Sequence, residues 1–209
     1  MNPHQSAAVV RIAAPFLLMA NAALQIFRAR RYSWRARMTV VVCCLVAVLL
    51  PINGLAVFEY FTGVVGEISV TLALLLICVM ISQLIDIRIL PGRDLSAIAC
   101  ALAVAGLVLY PPAMGLVSAD IYRLGYQPTA LLLVLIALAL WAWASKRNMA
   151  AFAVLIAVAA FDLRLLESDN LWDYLTDPLL TFWAWGWVLS WLCACVWRRA
   201  HRFRRLEGV

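Results

Sequence analysis

The sequence predicts an all-α polytopic membrane protein: a bundle of six transmembrane helices with an N-terminal seventh, in one domain covering residues 1–209. Three observations carry that prediction. The chain is 66% hydrophobic and 13% charged, against about 45–50% and about 25% in soluble domains. Its apolar residues form successive runs long enough to span a bilayer. Its basic residues collect between alternate runs, as they do in cytoplasmic connections.

The stretch FRARRYSWRARM at 27–38 sets the sidedness. Arg28, Arg30, Arg31, Arg35 and Arg37 stand there with no acid among them, and membrane potential and desolvation oppose moving guanidinium groups across a bilayer. The segment before it, 7–27, is long enough to cross about 30 Å of hydrocarbon at about 1.5 Å per residue. Its polar residues Arg11, Asn21 and Gln25, with Arg28, fall within one helical arc of about 100°. That stripe suits either an interfacial helix or a span packed against the bundle. The span, with a short outer N-terminus, is the preferred reading.

From the arginines, 38–57 runs outward, with Pro51 and Gly54 near its outer end. The connection FEYFTGVVGE (58–67) is apolar for a loop, and Phe58, Tyr60 and Phe61 suit the headgroup boundary. Span 68–85 returns inward to a turn carrying Arg88 and Arg93. Span 95–112 goes out to the breaker Pro111-Pro112, and 129–145 comes back after the longest connection. Lys146-Arg147-Asn148 is a tight inner turn, and 149–166 leads to the last outer loop, 167–178. The final span, 179–197, ends in a basic tail led by Arg198 and Arg199, which leaves the C-terminus cytoplasmic. In this threading, of 17 Lys and Arg only Arg11, Arg123 and Arg164 fall outside, and of 11 acids only Asp86, Asp94 and Glu207 fall inside. Short loops and inner arginines suit a bacterial inner membrane.

Chemistry is sparse. Asp169, Asp173 and Asp177 recur every four residues, so one continuous helix would stack their carboxylates about 6 Å apart, a spacing that suits a divalent cation. The nine residues DNLWDYLTD resemble the first aspartate-rich motif of UbiA-type membrane prenyltransferases, which implies Mg²⁺-diphosphate binding. That family also carries a second such motif, which this chain lacks, and its motifs face the cytoplasm, whereas this loop reads as external. The plainer reading is that the acids solvate a hairpin, with Asp169 or Asn170 capping a short helix that Pro178 ends or restarts. Asp162 and Arg164 near a span end, with Glu59, Glu67, Asp120 and Arg123, are candidates for a polar ring at the outer rim. Trp183, Trp187 and Trp191 form a stripe read as helix packing and interface belt. The only histidines, His4 and His201, are terminal, so no catalytic triad or haem-type pair assembles.

Three function classes remain. The favoured one is a non-catalytic membrane subunit or scaffold that holds or orients an envelope-polymer or lipid-modifying partner. The alternatives are an outer-face enzyme acting on a lipid-linked or phosphate-bearing substrate through Asp169, Asp173 and Asp177, and a small lipid or solute transporter. The expected partners are membrane lipids and a membrane protein or a second copy, not nucleic acid. No cofactor is expected beyond a divalent cation at the last outer loop.

Overall fold

Apolar runs broken by prolines, serines and short charged turns should give helices with sharp ends, and they do. The computed structural model describes residues 3–118 and 120–207, with side chains described for 10–28, 30–112, 114–118 and 120–198. Among the described residues the fold is all-α: α1 (Pro3–Ile26), α2 (Trp34–Leu49), α3 (Val57–Val65), α4 (Val70–Leu84), α5 (Gly92–Ala113), α6 (Thr129–Ala144), α7 (Asn148–Asp162), α8 (Leu171–Leu175) and α9 (Pro178–Glu207). Two stretches are long and apolar enough to cross a membrane, Gly92–Pro112 and Pro178–Arg198. Val10–Ile26, Val70–Leu84, Thr129–Ala144 and Asn148–Asp162 are shorter apolar helices.

Helices α2, α4, α6 and α7 are shorter than their apolar runs because local signals end or delay them. The run 38–57 stops being helical at Leu49, and Pro51–Ile52 (β1) pairs with Leu55–Ala56 (β2) as an antiparallel hairpin. Its tip, Asn53-Gly54, has φ of 50° and 87°, the left-handed pair that a two-residue hairpin needs. The apolar connection that follows is helix α3, not a loop. Ser69 caps α4, accepting a hydrogen bond from Leu72 N, so that helix starts two residues into its run. At the far ends of α4, α6 and α7 the chain turns through left-handed residues Asp86, Lys146 and Arg164.

Small residues let the helices approach. Ala14, Ala103, Ala150, Ala151, Ala153 and Ala184 share one core with Leu72, Leu75, Ile98, Leu102 and Leu180. A second core joins Leu131 and Leu135 of α6, Ala157 and Ala160 of α7, and Leu171, Tyr174 and Leu175 of α8. Helix α1 packs against α2 and α4 and buries Ala14, Leu17, Ala20 and Leu24, so it is part of the bundle. Two facing polar groups on this packing surface satisfy one another: Asn21 donates to the Leu76 carbonyl at 3.0 Å and accepts from Gln83 at 3.3 Å.

Polar contacts gather at the two ends of the bundle. At one end, Arg37 and Arg30 meet Asp86, and Asp94 accepts from the Met149 and Ala150 N–H groups that open α7. The other end holds nearly all the candidate residues.

Candidate functional site

The last interhelical connection, 163–177, is rigid because its side chains bond back to the backbone. Asn170 is the N-cap of α8: its Oδ1 accepts from Trp172 N at 2.9 Å and its Nδ2 donates to the Tyr122 carbonyl at 3.1 Å. Tyr174 is fully buried, set edge-on to Phe161, with its hydroxyl 3.1 Å from the Leu166 carbonyl. Thr176 leaves the helix in extended conformation, and Asp177 then caps α9 through Leu180 N at 2.8 Å, with Pro178 as the first helical residue. An Asp-Pro pair at that place is a helix-start signal legible in the sequence.

This local structure separates the three aspartates. The helix between them is only Leu171–Leu175, so Asp169 precedes it, Asp173 lies within it and Asp177 follows it. They do not stack on one continuous face. Among the described residues, no three His, Cys, Asp or Glu side chains converge as a metal ion would require. Each inner aspartate has protein donors instead. Asp173 accepts from the Tyr122 hydroxyl at 2.7 Å and from the Ser168 hydroxyl. Asp177 accepts from Ser69 N at 2.8 Å with its second oxygen, so one buried carboxylate joins the starts of α4 and α9. Burial first, and then the Asp173 carboxylate, push the Tyr122 phenol above its ordinary value, which keeps it a hydrogen-bond donor across the physiological range.

The rim candidates divide. Glu67 and Glu167 both pair with Arg11 of α1, and Glu67 also accepts from Glu167 N at 3.2 Å. Glu59 reaches back to Ala56 N at 2.6 Å and caps α3. Asp120 caps the turn Tyr122–Gly125 through Arg123 N at 3.2 Å. Asp162, Arg123 and Arg164 are exposed and form no ion pair with described residues. Among the described residues the structure thus assembles one triad at this end of the bundle, Arg11–Glu67–Glu167, and not a continuous ring. Its members are 56 and 156 positions from Arg11, and no local pattern marks them. On α9, Trp183 and Trp191 point outward, while Trp185 donates to the Ala103 carbonyl of α5 at 3.0 Å.

Of the basic anchors, Arg28, Arg30, Arg31, Arg35 and Arg198 are exposed, whereas Arg37 is buried. The Arg199 side chain lies outside the described residues.

Between α5, the Tyr122 turn, α8 and the start of α9 lies a cavity of about 380 Å³. Its walls include Glu67, Tyr110, Tyr122, Trp172, Asp173 and Asp177. The sequence matches no protein-family model, no curated protein and no solved structure.

Replacing Asp177 with Asn tests the capping role. An amide is neutral and keeps one acceptor oxygen, so both backbone N–H groups lose a charged partner and one of them loses its acceptor; a loss of about 1–2 kcal/mol is expected. Thermal unfolding in detergent is the readout, with exposed Asp162→Asn within about 0.5 kcal/mol of wild type.

Proposed function

We propose that the chain is an integral membrane protein with six spans and α1 as a seventh, its C-terminus cytoplasmic, acting as a non-catalytic subunit of an envelope-polymer or lipid-modifying assembly in a bacterial inner membrane. The membrane setting is supported by what the helices leave uncovered. Only 17% of the apolar Pro178–Arg198 stretch is buried, and 33% of Gly92–Pro112. On α6, Leu133, Val134, Ile136 and Leu140 are all more than half exposed. Apolar surface on this scale is stable against lipid and unstable against water. The shorter helices, at about 1.5 Å per residue, need their apolar flanks or local thinning of the bilayer to cross it.

The subunit role rests on one observation. The ionisable groups of the outer end act as braces: Asp177 between two helix starts, Asp173 beneath two hydroxyls, and Glu67 and Glu167 around Arg11. A general base or nucleophile must present a reactive atom aligned to substrate, and here the alignment of each carboxylate is set by the contacts that hold the connections in place; the acceptor capacity left over suits holding a ligand, not attacking one. A rigid outer face over apolar flanks suits a subunit that orients a partner.

Two measurements test this. With native cysteines replaced, Ser118→Cys should react with an impermeant thiol reagent in intact cells, and Asn148→Cys only after permeabilisation. Labelling of Asn148→Cys in intact cells overturns the threading. Purification of the full chain in mild detergent should bring down a membrane enzyme in stoichiometric amount. An isolated chain that turns over a lipid-linked substrate overturns the subunit role.

A further inference from the structure

We propose that the cavity at the acid-rich end binds an organic ammonium ion, a primary or quaternary amine carried on an apolar body. The cavity of about 380 Å³ lies within the range of small-molecule sites, about 300–1,000 Å³. Its walls contain the carboxylates of Glu67, Asp173 and Asp177, and no lysine or arginine. Asp173 is held by two neutral hydroxyls and Asp177 by two backbone N–H groups. Neither is in an ion pair among the described residues. A carboxylate offers about four acceptor positions, so both keep unused lone pairs.

The third wall carboxylate, Glu67, is turned toward Arg11. Among the described residues, the buried side-chain polar atoms lacking a hydrogen bond are Arg11 Nε and Glu67 Oε1, which face one another at 3.7 Å. That separation is too long for a hydrogen bond, and Glu67 Oε1 is enclosed on the Arg11 side, so the open acceptors of the cavity are those of Asp173 and Asp177. Arg11 is shared between Glu67 and Glu167 and is not a wall residue.

Shape and chemistry then select among cations. A divalent metal needs several oxygen ligands converging at about 2.0–2.6 Å, and no such set converges among the described residues. An ammonium group needs only diffuse negative potential and scattered acceptors, and it gains from aromatic walls. Tyr110, Tyr122 and Trp172 supply those walls, and Leu109, Leu166 and Pro178 supply apolar surface for the rest of the ligand. Phosphate and other anions are disfavoured by the same carboxylates. The site does not depend on the subunit role; failure to recover a partner enzyme would leave it intact.

The test uses the full chain in detergent with phenethylamine as probe and 2-phenylethanol as its uncharged analogue, measured by equilibrium dialysis. Saturable amine binding is expected, at least about tenfold tighter than the alcohol. Asp173→Asn should weaken the amine by about tenfold and leave the alcohol unchanged, while exposed Asp162→Asn should match wild type. Equal binding of amine and alcohol, no saturable amine binding, or an Asp173→Asn variant that is folded and binds normally would each overturn the proposal. The comparison of the two wild-type ligands decides the matter even where the variant misfolds. Nanodiscs distinguish the source of the ammonium group. Loss of probe binding in phosphatidylethanolamine discs but not in phosphatidylglycerol discs identifies a lipid headgroup; binding retained in both identifies a free amine.

Discussion

Replacing Gly125 with alanine should destabilise the protein by about 3 kcal/mol or more, at the upper end of overpacking effects. A Cβ at this position would lie 1.7 Å from Asn170 Oδ1, 2.6 Å from its Cγ and 2.8 Å from Trp172 Cδ1. Asn170 cannot retreat. It is completely buried, its Oδ1 holds Trp172 N, its Nδ2 holds the Tyr122 carbonyl, and its own N–H donates to Ser168 Oγ at 3.0 Å. Moving it would uncap α8 and release the Tyr122 turn at once, leaving buried groups without partners. Thermal unfolding and monodisperse yield in detergent are the readouts. Gly63→Ala and Gly186→Ala are the comparisons, since a Cβ at either meets nothing within 4 Å; both should be neutral or slightly stabilising, by up to about 1 kcal/mol. Equal stability of Gly125→Ala and these controls would show that the connection is not packed as described.

Arg37→Ala should cost a comparable amount, about 3 kcal/mol, in the lower part of the range for breaking a buried ion pair. The guanidinium is 6% exposed and holds five acceptors among the described residues. Nη1 donates to Gln83 O at 2.8 Å, Leu84 O at 3.2 Å and Asp86 Oδ2 at 2.7 Å. Nε reaches Tyr32 O and Nη2 reaches Arg30 O, each at 3.1 Å. One side chain therefore ties the arginine-rich turn to the open carbonyls at the end of α4. Asp86 is half exposed and can turn to water, which keeps the cost below the top of the range. Arg37→Lys should recover only part, because an ammonium has three donors and no planar fork. Arg35→Ala, at an exposed position of the same cluster, should change stability by less than about 0.5 kcal/mol. If Arg37→Ala and Arg35→Ala unfold together, Arg37 is only another basic charge of the cluster.

The contrast between these two arginines shows where reading the chain alone runs out. In the sequence, Arg35 and Arg37 are equivalent members of one basic cluster, and their shared charge is all that sidedness requires. Which of them turns inward depends on where the end of α4 arrives, 46 residues later at Gln83. The aspartates teach the same lesson in reverse. Their four-residue spacing suggests one face of a helix, but Thr176 is extended and Asp177-Pro178 opens a new helix, so a regular pattern in sequence is not regular in space. One helix start is read from the sequence: Asn170, one of two cap candidates, accepts from Trp172 N at the start of α8, whereas Ser33 and Ser69 cap α2 and α4 although those runs read as starting at 38 and 68.

By itself, the sequence determined that this chain is helical, strongly apolar and asymmetric in charge. Those properties need only local composition: apolar runs favour buried or lipid-covered helices, and charges between runs are costly to move wherever they end up. Tertiary structure alone decided the roles of individual charges. Arg11 meets Glu167 across 156 positions, Ser69 meets Asp177 across 108, and Tyr122 meets Asp173 across 51. Whether a carboxylate acts as a brace, a cap or part of a cavity wall depends on the distance to donors that folding brings from elsewhere, because hydrogen bonds and close ion pairs act only over a few ångströms.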